Sequence, residues 1–144
     1  MKIIFPLLAL LGGIAMAIQA QVNGGLGKKV GAIEGSFISF AVGTLALAFG
    51  VLFIGKGNVL AFTNVPKWQL IGGLLGALYV FIMVLVVPKV GVATAFVAVI
   101  AGQIIVGAII DHYGLFGGTR IPIDGKKLIA ILLLFVSLYL FNHK

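Results

Sequence analysis

The chain has 144 residues and a formal net charge of +7, and 62% of its residues are hydrophobic whereas only 9% are charged. A soluble domain carries about a quarter charged residues, so this composition excludes a water-soluble globular protein and a disordered chain. The ten Lys and Arg residues are scattered between apolar runs, which excludes a basic nucleic-acid-binding surface, and the absence of cysteine excludes disulfides and thiolate metal sites.

The apolar runs predict an all-α integral membrane protein with five transmembrane helices in a single transmembrane domain, residues 1–144. A bilayer core about 30 Å thick needs roughly 20 apolar residues as helix, and helices satisfy their own backbone hydrogen bonds in lipid. The first run is longer than the apolar part of a signal peptide, so we interpret it as a span. The predicted spans are residues 3–22, 32–54, 68–87, 92–110 and 128–141.

Clusters of glycine, asparagine and proline separate these runs. Residues 23–29 follow the first run and residues 55–58 follow the second. The segment 68–110 is too long for one crossing, and Pro88 lies near its centre. Because proline disrupts helices, we predict a tight helical hairpin at residues 88–91.

An internal repeat is visible when the chain is displaced by 60 residues. The triplet Lys-Val-Gly at 29–31 then falls on the same triplet at 89–91, and the glycine pair at 12–13 falls on the pair at 72–73. Repeated helix pairs are typical of secondary transporters, so the repeat favours that class of protein.

The positive charges are nearly balanced between the two sides of the membrane. With five crossings, six cations lie on the amino-terminal side and four on the other, and the difference slightly favours a cytoplasmic amino terminus. So weak a bias is also what a chain inserting in both orientations would show. We therefore predict an antiparallel, dual-topology homodimer. The two groups are Lys2, Lys56, Lys67, Arg120, Lys126 and Lys127, and Lys28, Lys29, Lys89 and Lys144.

Polar side chains inside the spans are costly in lipid, so each is a candidate site residue. Gln103 lies near mid-depth of the fourth span, where an amide can offer two donors and an acceptor to a ligand. Gln19 and Asn23 share one face of the first helix. Hydrogen bonding between helices is the competing interpretation. The predicted substrate-binding residues are Gln19, Asn23, Gln103, Ser39 and Tyr79.

Two acidic residues are candidates for proton binding or gating. Asp111 closes the fourth span, where a carboxylate meets the negative end of the helix dipole, so it needs a partner such as Arg120, Lys126 or His112. A solvated interfacial aspartate is the other interpretation. Glu34 stands in the first turn of the second helix, where a carboxylate is favourable.

Small residues recur at helix-packing spacing within the spans. Lipid provides no hydrophobic drive between helices, so small residues that let backbones approach closely are expected to hold them together. The glycines predicted to serve packing, bending or sliding of helices are Gly12, Gly13, Gly43, Gly102 and Gly107.

Several segments of the chain form a recognisable set of motifs. One is Gln-Val-Asn-Gly-Gly-Leu at 21–26, and the most specific combines Ala-Gly-Gln at 101–103 with Asp-His-Tyr-Gly-Leu-Phe-Gly at 111–117 and Arg-Ile-Pro at 120–122. These segments resemble the YdcZ-like family of small bacterial membrane proteins. The resemblance covers residues 12–140. It implies a multi-pass dimeric protein of the bacterial inner membrane, within the drug/metabolite transporter superfamily and related to the small multidrug resistance (EmrE-like) proteins.

One departure from those relatives bears on the substrate. The small multidrug resistance proteins use a membrane-buried glutamate in the first helix, which binds a proton or a cation in turn. The first predicted helix here contains no acidic residue, and Gln19 is its nearest polar substitute. Exchange of protons for cationic drugs is therefore not expected, and Gln19 with Gln103 favours a neutral, zwitterionic or anionic small molecule.

Together these patterns favour a small secondary transporter that moves a metabolite or drug-like molecule by alternating access, in contact with membrane lipid. The alternative is a structural membrane subunit or interaction partner that transports nothing, whose polar mid-helix residues would matter only for stability. We expect no enzymatic activity, cofactor or metal site, since five crossings place His112 and His143 at opposite membrane faces.

Overall fold

The computed structural model describes residues 3–142, and within that range the chain is helical and forms no strand. Lys2, His143 and Lys144, which entered the arguments about charge and histidine, lie outside the described residues. The prediction of an all-α protein is confirmed. The helices are α1 (Ile4–Val30), α2 (Ala32–Phe53), α3 (Ile71–Val90), α4 (Val92–Tyr113) and α5 (Gly125–Asn142).

Short 3-10 helices of one or two turns lie in the connections between these helices. They cover Val59–Asn64 and Lys67–Leu70 before α3, and Leu115–Gly117 after α4. Asn58 begins the first of them by accepting a hydrogen bond from the Leu60 amide to its side-chain oxygen at 3.0 Å. The connection between α2 and α3 is thus stabilised by a local hydrogen bond.

Most large apolar side chains point outward in the single chain. Leu52, for example, is 76% exposed, and the described apolar core is limited to a few small and medium residues such as Ala20 and Val84. Exposed apolar surface of this extent is stable only against hydrocarbon. Among residues 3–142, four helices are long and apolar enough to cross a membrane: Ile4–Val30, Ala32–Phe53, Lys67–Val90 and Val92–Tyr113. The predicted fifth span lies in α5, and its crossing stays a prediction.

Helix α1 continues past the predicted end of the first span. Its 27 residues make it about 40 Å long, which exceeds the hydrocarbon thickness of about 30 Å. Residues 23–29, interpreted from sequence as a break, are helical because their glycines pack against other helices. Lys28 and Lys29 occupy the last turn, where cations suit both the helix dipole and the membrane interface.

The break between α3 and α4 lies at Gly91 and not at Pro88. Pro88 stands inside the last turn of α3, which ends at Val90. A proline there removes one backbone donor, and membrane helices tolerate this where neighbouring groups compensate. The chain turns instead at Gly91, whose φ of 85° and ψ of 160° belong to a region open almost only to glycine.

Gly31 repeats the conformation of Gly91 sixty residues earlier. Its φ is 104° and its ψ is 150°, and it connects α1 to α2 as Gly91 connects α3 to α4. Helices α2 and α4 also begin and end at positions displaced by the same 60 residues. The repeat seen in the sequence therefore extends to the helix boundaries and to the junction glycines.

The chain divides into two compact units, Met1–Lys89 and Val90–Lys144. In the first unit, glycines bring three helices close together. A Cβ at Gly24 would lie 3.2 Å from Pro88 Cγ, and one at Gly27 would overlap Val84 Cγ1. On the other side of α1, a Cβ at Gly35 of α2 would lie 3.0 Å from Gly27 Cα. Close backbone approach thus joins α1 to α2, whereas α3 packs against the glycines of α1 through the side chains of Val84 and Pro88.

The substitution Gly35→Ala should destabilise the protein. The atoms that the new Cβ would meet belong to the backbone of α1, which cannot rotate away. The expected loss is about 1–3 kcal/mol, which a lower unfolding temperature in detergent would report. The matched control is Gly50→Ala on the same helix, where a Cβ meets nothing within 4 Å. That variant should keep or slightly raise the unfolding temperature, since alanine favours helix. Equal effects at both positions would contradict the packing.

Candidate functional site

The connection between α4 and α5 folds back onto the end of α4. The Ile121 amide donates to the Asp111 carbonyl at 2.7 Å, and Arg120 Nε donates to the His112 carbonyl at 3.1 Å. These bonds occupy carbonyls that the end of a helix leaves without partners. They fix the loop beside the last turn of α4.

His112 and Asp124 fix the far end of the same loop. The Ile123 amide donates to His112 Nδ1 at 3.1 Å, so the ring accepts there and carries its proton on Nε2. Asp124 then caps α5, because its Oδ1 accepts from the Lys127 amide at 2.8 Å. The loop therefore determines where the first turn of α5 lies relative to α4.

A cavity of about 390 Å³ lies between α4 and α5 in the second unit. Its volume falls within the range of small-molecule sites. Gln103, Gly107 and Asp111 stand four residues apart and so share one face of α4, with Asp111 about 12 Å from Gln103 along the helix. We call this the α4–α5 cavity; its lining residues are Gln103, Ile104, Gly107, Ala108, Asp111, Lys127, Ala130 and Ile131.

Opposite charges lie at one end of the α4–α5 cavity. Asp111 is in the last turn of α4 and Lys127 in the first turn of α5, and both line the cavity. Lys127 Nζ donates one hydrogen bond, to the Pro122 carbonyl at 3.1 Å. Within residues 3–142 the Asp111 carboxylate has no hydrogen bond or ion pair with Arg120, Lys126 or His112, contrary to the expectation that one of these is its partner. The carboxylate and the ammonium thus face one space without being paired to each other.

Two further cavities lie in the first unit. One, also of about 390 Å³, is lined by aromatic and aliphatic groups, and its Ser36 hydroxyl is already bonded to the Ala32 carbonyl at 2.8 Å. The other is a cleft of about 50 Å³ beside Gly24 and Pro88 that has room for about one or two waters. The cleft is also lined by the Gln21 amide and the Lys28 ammonium, but it has no room for a small molecule, and the larger cavity has no charged group in its lining. The larger one is lined by Ile33, Ser36, Phe37, Phe40, Ala77 and Phe81.

A family comparison decides the class of the protein. The family model described as "Putative inner membrane exporter, YdcZ" matches residues 4–140. The chain belongs to the YdcZ family. No curated protein and no solved structure matches it.

As a YdcZ-family member with four long apolar helices, the chain is a multi-pass protein of the inner membrane. Its family is one of exporters, which makes it a membrane transporter. Its helices contact lipid, in agreement with their exposed apolar side chains. The resemblance inferred from segments 21–26 and 101–122 is confirmed.

The predicted site residues of this YdcZ-family chain are divided between the two units. Gln103, Asp111 and Gly107 line the α4–α5 cavity. In the first unit Asn23 is 6% exposed, Ser39 is half-buried, and the Tyr79 hydroxyl is buried without a hydrogen-bond partner among residues 3–142. Gln19 and Glu34 are exposed on helix surfaces of the first unit.

The glycines predicted to pack have open space around them in the single chain. A Cβ would meet nothing within 4 Å at Gly12, Gly13, Gly43, Gly102 or Gly107. The closely packed glycines are instead Gly24, Gly27 and Gly35. For the five glycines with open space, the roles in bending or in contact with a second copy stay predictions.

Lys127 and Asp124 are cavity and loop residues that the sequence analysis did not select. A signal for Asp124 was present, because aspartate before Gly-Lys-Lys and an apolar run is typical of a helix N-cap. The place of Lys127 in the cavity depends on the folded loop, which no local pattern specifies.

Removing the cap of α5 should lower the stability of the protein. Asp124→Ala deletes the acceptor for the Lys127 amide, and loss of an N-cap costs about 1 kcal/mol. Thermal unfolding in detergent measures the change. Asp124→Asn keeps an acceptor oxygen and should unfold close to the wild type. If asparagine and alanine lower the unfolding temperature equally, the capping bond is not the cause.

Proposed function

We propose that the chain is a secondary exporter that moves a small molecule across the inner membrane by alternating access, and that the α4–α5 cavity is its binding site. The observation that supports this proposal is the grouping of Gln103, Asp111 and Lys127 around one cavity of ligand size. Polar groups that converge in an otherwise apolar pocket are the usual form of a small-molecule site.

The proposed working unit is an antiparallel homodimer in which each chain crosses the membrane five times. The near balance of cations, six against four, supports insertion in both orientations. The open space at Gly12, Gly13 and Gly43 supports a second copy as their packing partner. Two opposed copies would supply the inverted repeat that transporters use to expose one site to each side in turn.

In this proposal the remaining candidates have subsidiary roles. In the first unit, the other residues proposed to contact the substrate are Asn23, Ser39 and Tyr79, which are buried or half-buried, and Gln19, whose amide is exposed on α1. Asp111 would bind or release a proton or gate the cavity, since it lies at the end of a membrane helix. Glu34 would bind or release a proton from the exposed start of α2.

Export can be measured through growth of bacteria that express the chain in the presence of a panel of toxic small molecules. An exporter raises the inhibitory concentration of the compounds it carries. Gln103→Ala should reduce that protection roughly two- to tenfold, the effect of losing one hydrogen bond to a ligand. The matched control is Gln69→Ala, which changes an exposed glutamine outside the α4–α5 cavity and should leave protection unchanged.

Cross-linking of the same variants separates binding from packing. Both should form as much dimer as the wild type, since neither change removes a helix contact. If Gln103→Ala keeps full protection, or loses dimer as it loses protection, the amide serves packing and the proposed site is wrong. Absence of protection against every compound in the panel would favour a structural membrane subunit.

A further inference from the structure

We propose that the α4–α5 cavity binds a zwitterion, with the ammonium group of the ligand at Asp111, its acidic group at Lys127 and its apolar part along Ile104 and Ile131. This inference rests on the proposed function, because it names the class of ligand for the same site. It starts from two opposite charges that line one cavity without pairing to each other.

The loop bonds set the positions of the two charged residues, Asp111 on α4 and Lys127 on α5. The Ile121 and Arg120 bonds hold the loop to the end of α4, and the Lys127 ammonium is drawn to the Pro122 carbonyl. An ammonium has three N–H donors, so two remain for a ligand. The Asp111 carboxylate keeps its full acceptor capacity within the described part of the chain.

The dipole at each helix end attracts the same ligand charge as the charged side chain beside it. Asp111 stands at the carboxyl end of α4, where the dipole is negative and attracts a cation. Lys127 stands in the first turn of α5, where the dipole is positive and attracts an anion. A ligand with one charge of each sign matches both ends simultaneously.

A singly charged ligand fits the cavity less well. A cation would be attracted by Asp111 but repelled by the ammonium of Lys127. An anion would be attracted by Lys127 but repelled by the carboxylate of Asp111. Either would also bring net charge to the edge of a low-dielectric region, whereas a zwitterion brings none. The charges of the cavity therefore select against both.

The remaining walls specify the rest of the ligand. Ile104 and Ile131 are apolar, while Gly107, Ala108 and Ala130 leave room because their side chains are absent or small. Gln103 lies about 12 Å along α4 from Asp111, so its amide reaches only the end of the ligand farthest from the charges. The inferred ligand is a zwitterion with an apolar chain, and only a ligand with a long chain reaches Gln103.

Four probes of nearly equal shape test the inference on the purified full-length chain in detergent. They are leucine, which carries both charges; leucinamide, with the ammonium only; 4-methylpentanoate, with the carboxylate only; and 4-methylpentanamide, with neither. Calorimetry measures their affinities at a pH where the amines are protonated. Leucine should bind at least about tenfold tighter than each of the other three. Equal or tighter binding of leucinamide or 4-methylpentanoate, or no binding of leucine, would overturn the inference.

Variants assign each charge to its wall. Asp111→Asn should remove the preference for leucine over 4-methylpentanoate, and Lys127→Gln should remove the preference for leucine over leucinamide. Lys126→Gln, which changes an adjacent exposed lysine outside the cavity, should keep both preferences. Asp111→Glu and Lys127→Arg keep the charges and should retain leucine binding, which controls for misfolding. Preferences that survive both neutral variants would overturn the inference.

A lipid headgroup is another source of the same chemistry, because an ethanolamine phosphate joins an ammonium to an acid beside an acyl chain. Lysophosphatidylethanolamine that displaces leucine, while the anionic lysophosphatidylglycerol does not, would support the zwitterion and assign it to lipid. Equal displacement by both lysolipids would overturn the selection for zwitterions.

Transport of leucine separates this inference from the proposed function. Leucine that binds with the expected variant pattern but shows no counterflow in proteoliposomes supports the zwitterion site and contradicts the transport proposal. Export of a panel compound that depends on Gln103, with no binding of leucine, supports the transport proposal and overturns the zwitterion inference.

Discussion

Helices in a bilayer gain no hydrophobic free energy by packing against one another, since lipid chains are as apolar as the side chains they replace. Contact between helices must therefore come from close backbone approach and from the few polar groups available. In the first unit this is visible where Gly27 of α1 meets Gly35 of α2 on one side and Val84 of α3 on the other. The outward-facing leucine and phenylalanine side chains are left to the lipid.

The same constraint explains why the site lies where it does. Backbone carbonyls at the end of α4 accept from Ile121 and Arg120 of the returning loop, and the His112 ring accepts from the Ile123 amide. The Asp111 carboxylate takes part in none of these bonds, and the Lys127 ammonium uses one of its three donors, on the Pro122 carbonyl. A cavity with free charge at one end and an amide deeper along the helix is thus a consequence of how the loop satisfies the backbone.

Helix starts were readable from sequence wherever an apolar run begins after glycine. The predicted ranges 32–54 and 92–110 begin at the same residues as α2 and α4, because Gly31 and Gly91 each force a turn that no other residue adopts easily. Helix α1 runs past its predicted span because Gly24 and Gly27, of a residue type common in loops in water, serve helix contact in lipid. The helix break at Gly91 lies within the predicted hairpin 88–91, and Pro88 itself stays helical because a proline in the last turn need not end a helix.

The candidate site was predictable only in part. Gln103 and Asp111 stood out because polar groups are rare in apolar spans, but their grouping in one cavity was not predicted. Lys127 and the role of His112 were not predictable, because both depend on a loop that brings residues 120–127 back to α4. Such contacts join distant positions through the backbone, and no periodic pattern encodes them.

Cysteine labelling in lipid nanodiscs tests the central claim most directly, that the α4–α5 cavity is a water-accessible site within an apolar helix pair. The chain contains no cysteine, so single substitutions give a clean background. Ala108 lines the cavity, whereas Val106 is 55% exposed in the single chain and lies outside it. Ala108→Cys should react with a water-soluble, membrane-impermeant maleimide while Val106→Cys, facing lipid, should not; equal labelling of the two would contradict the claim.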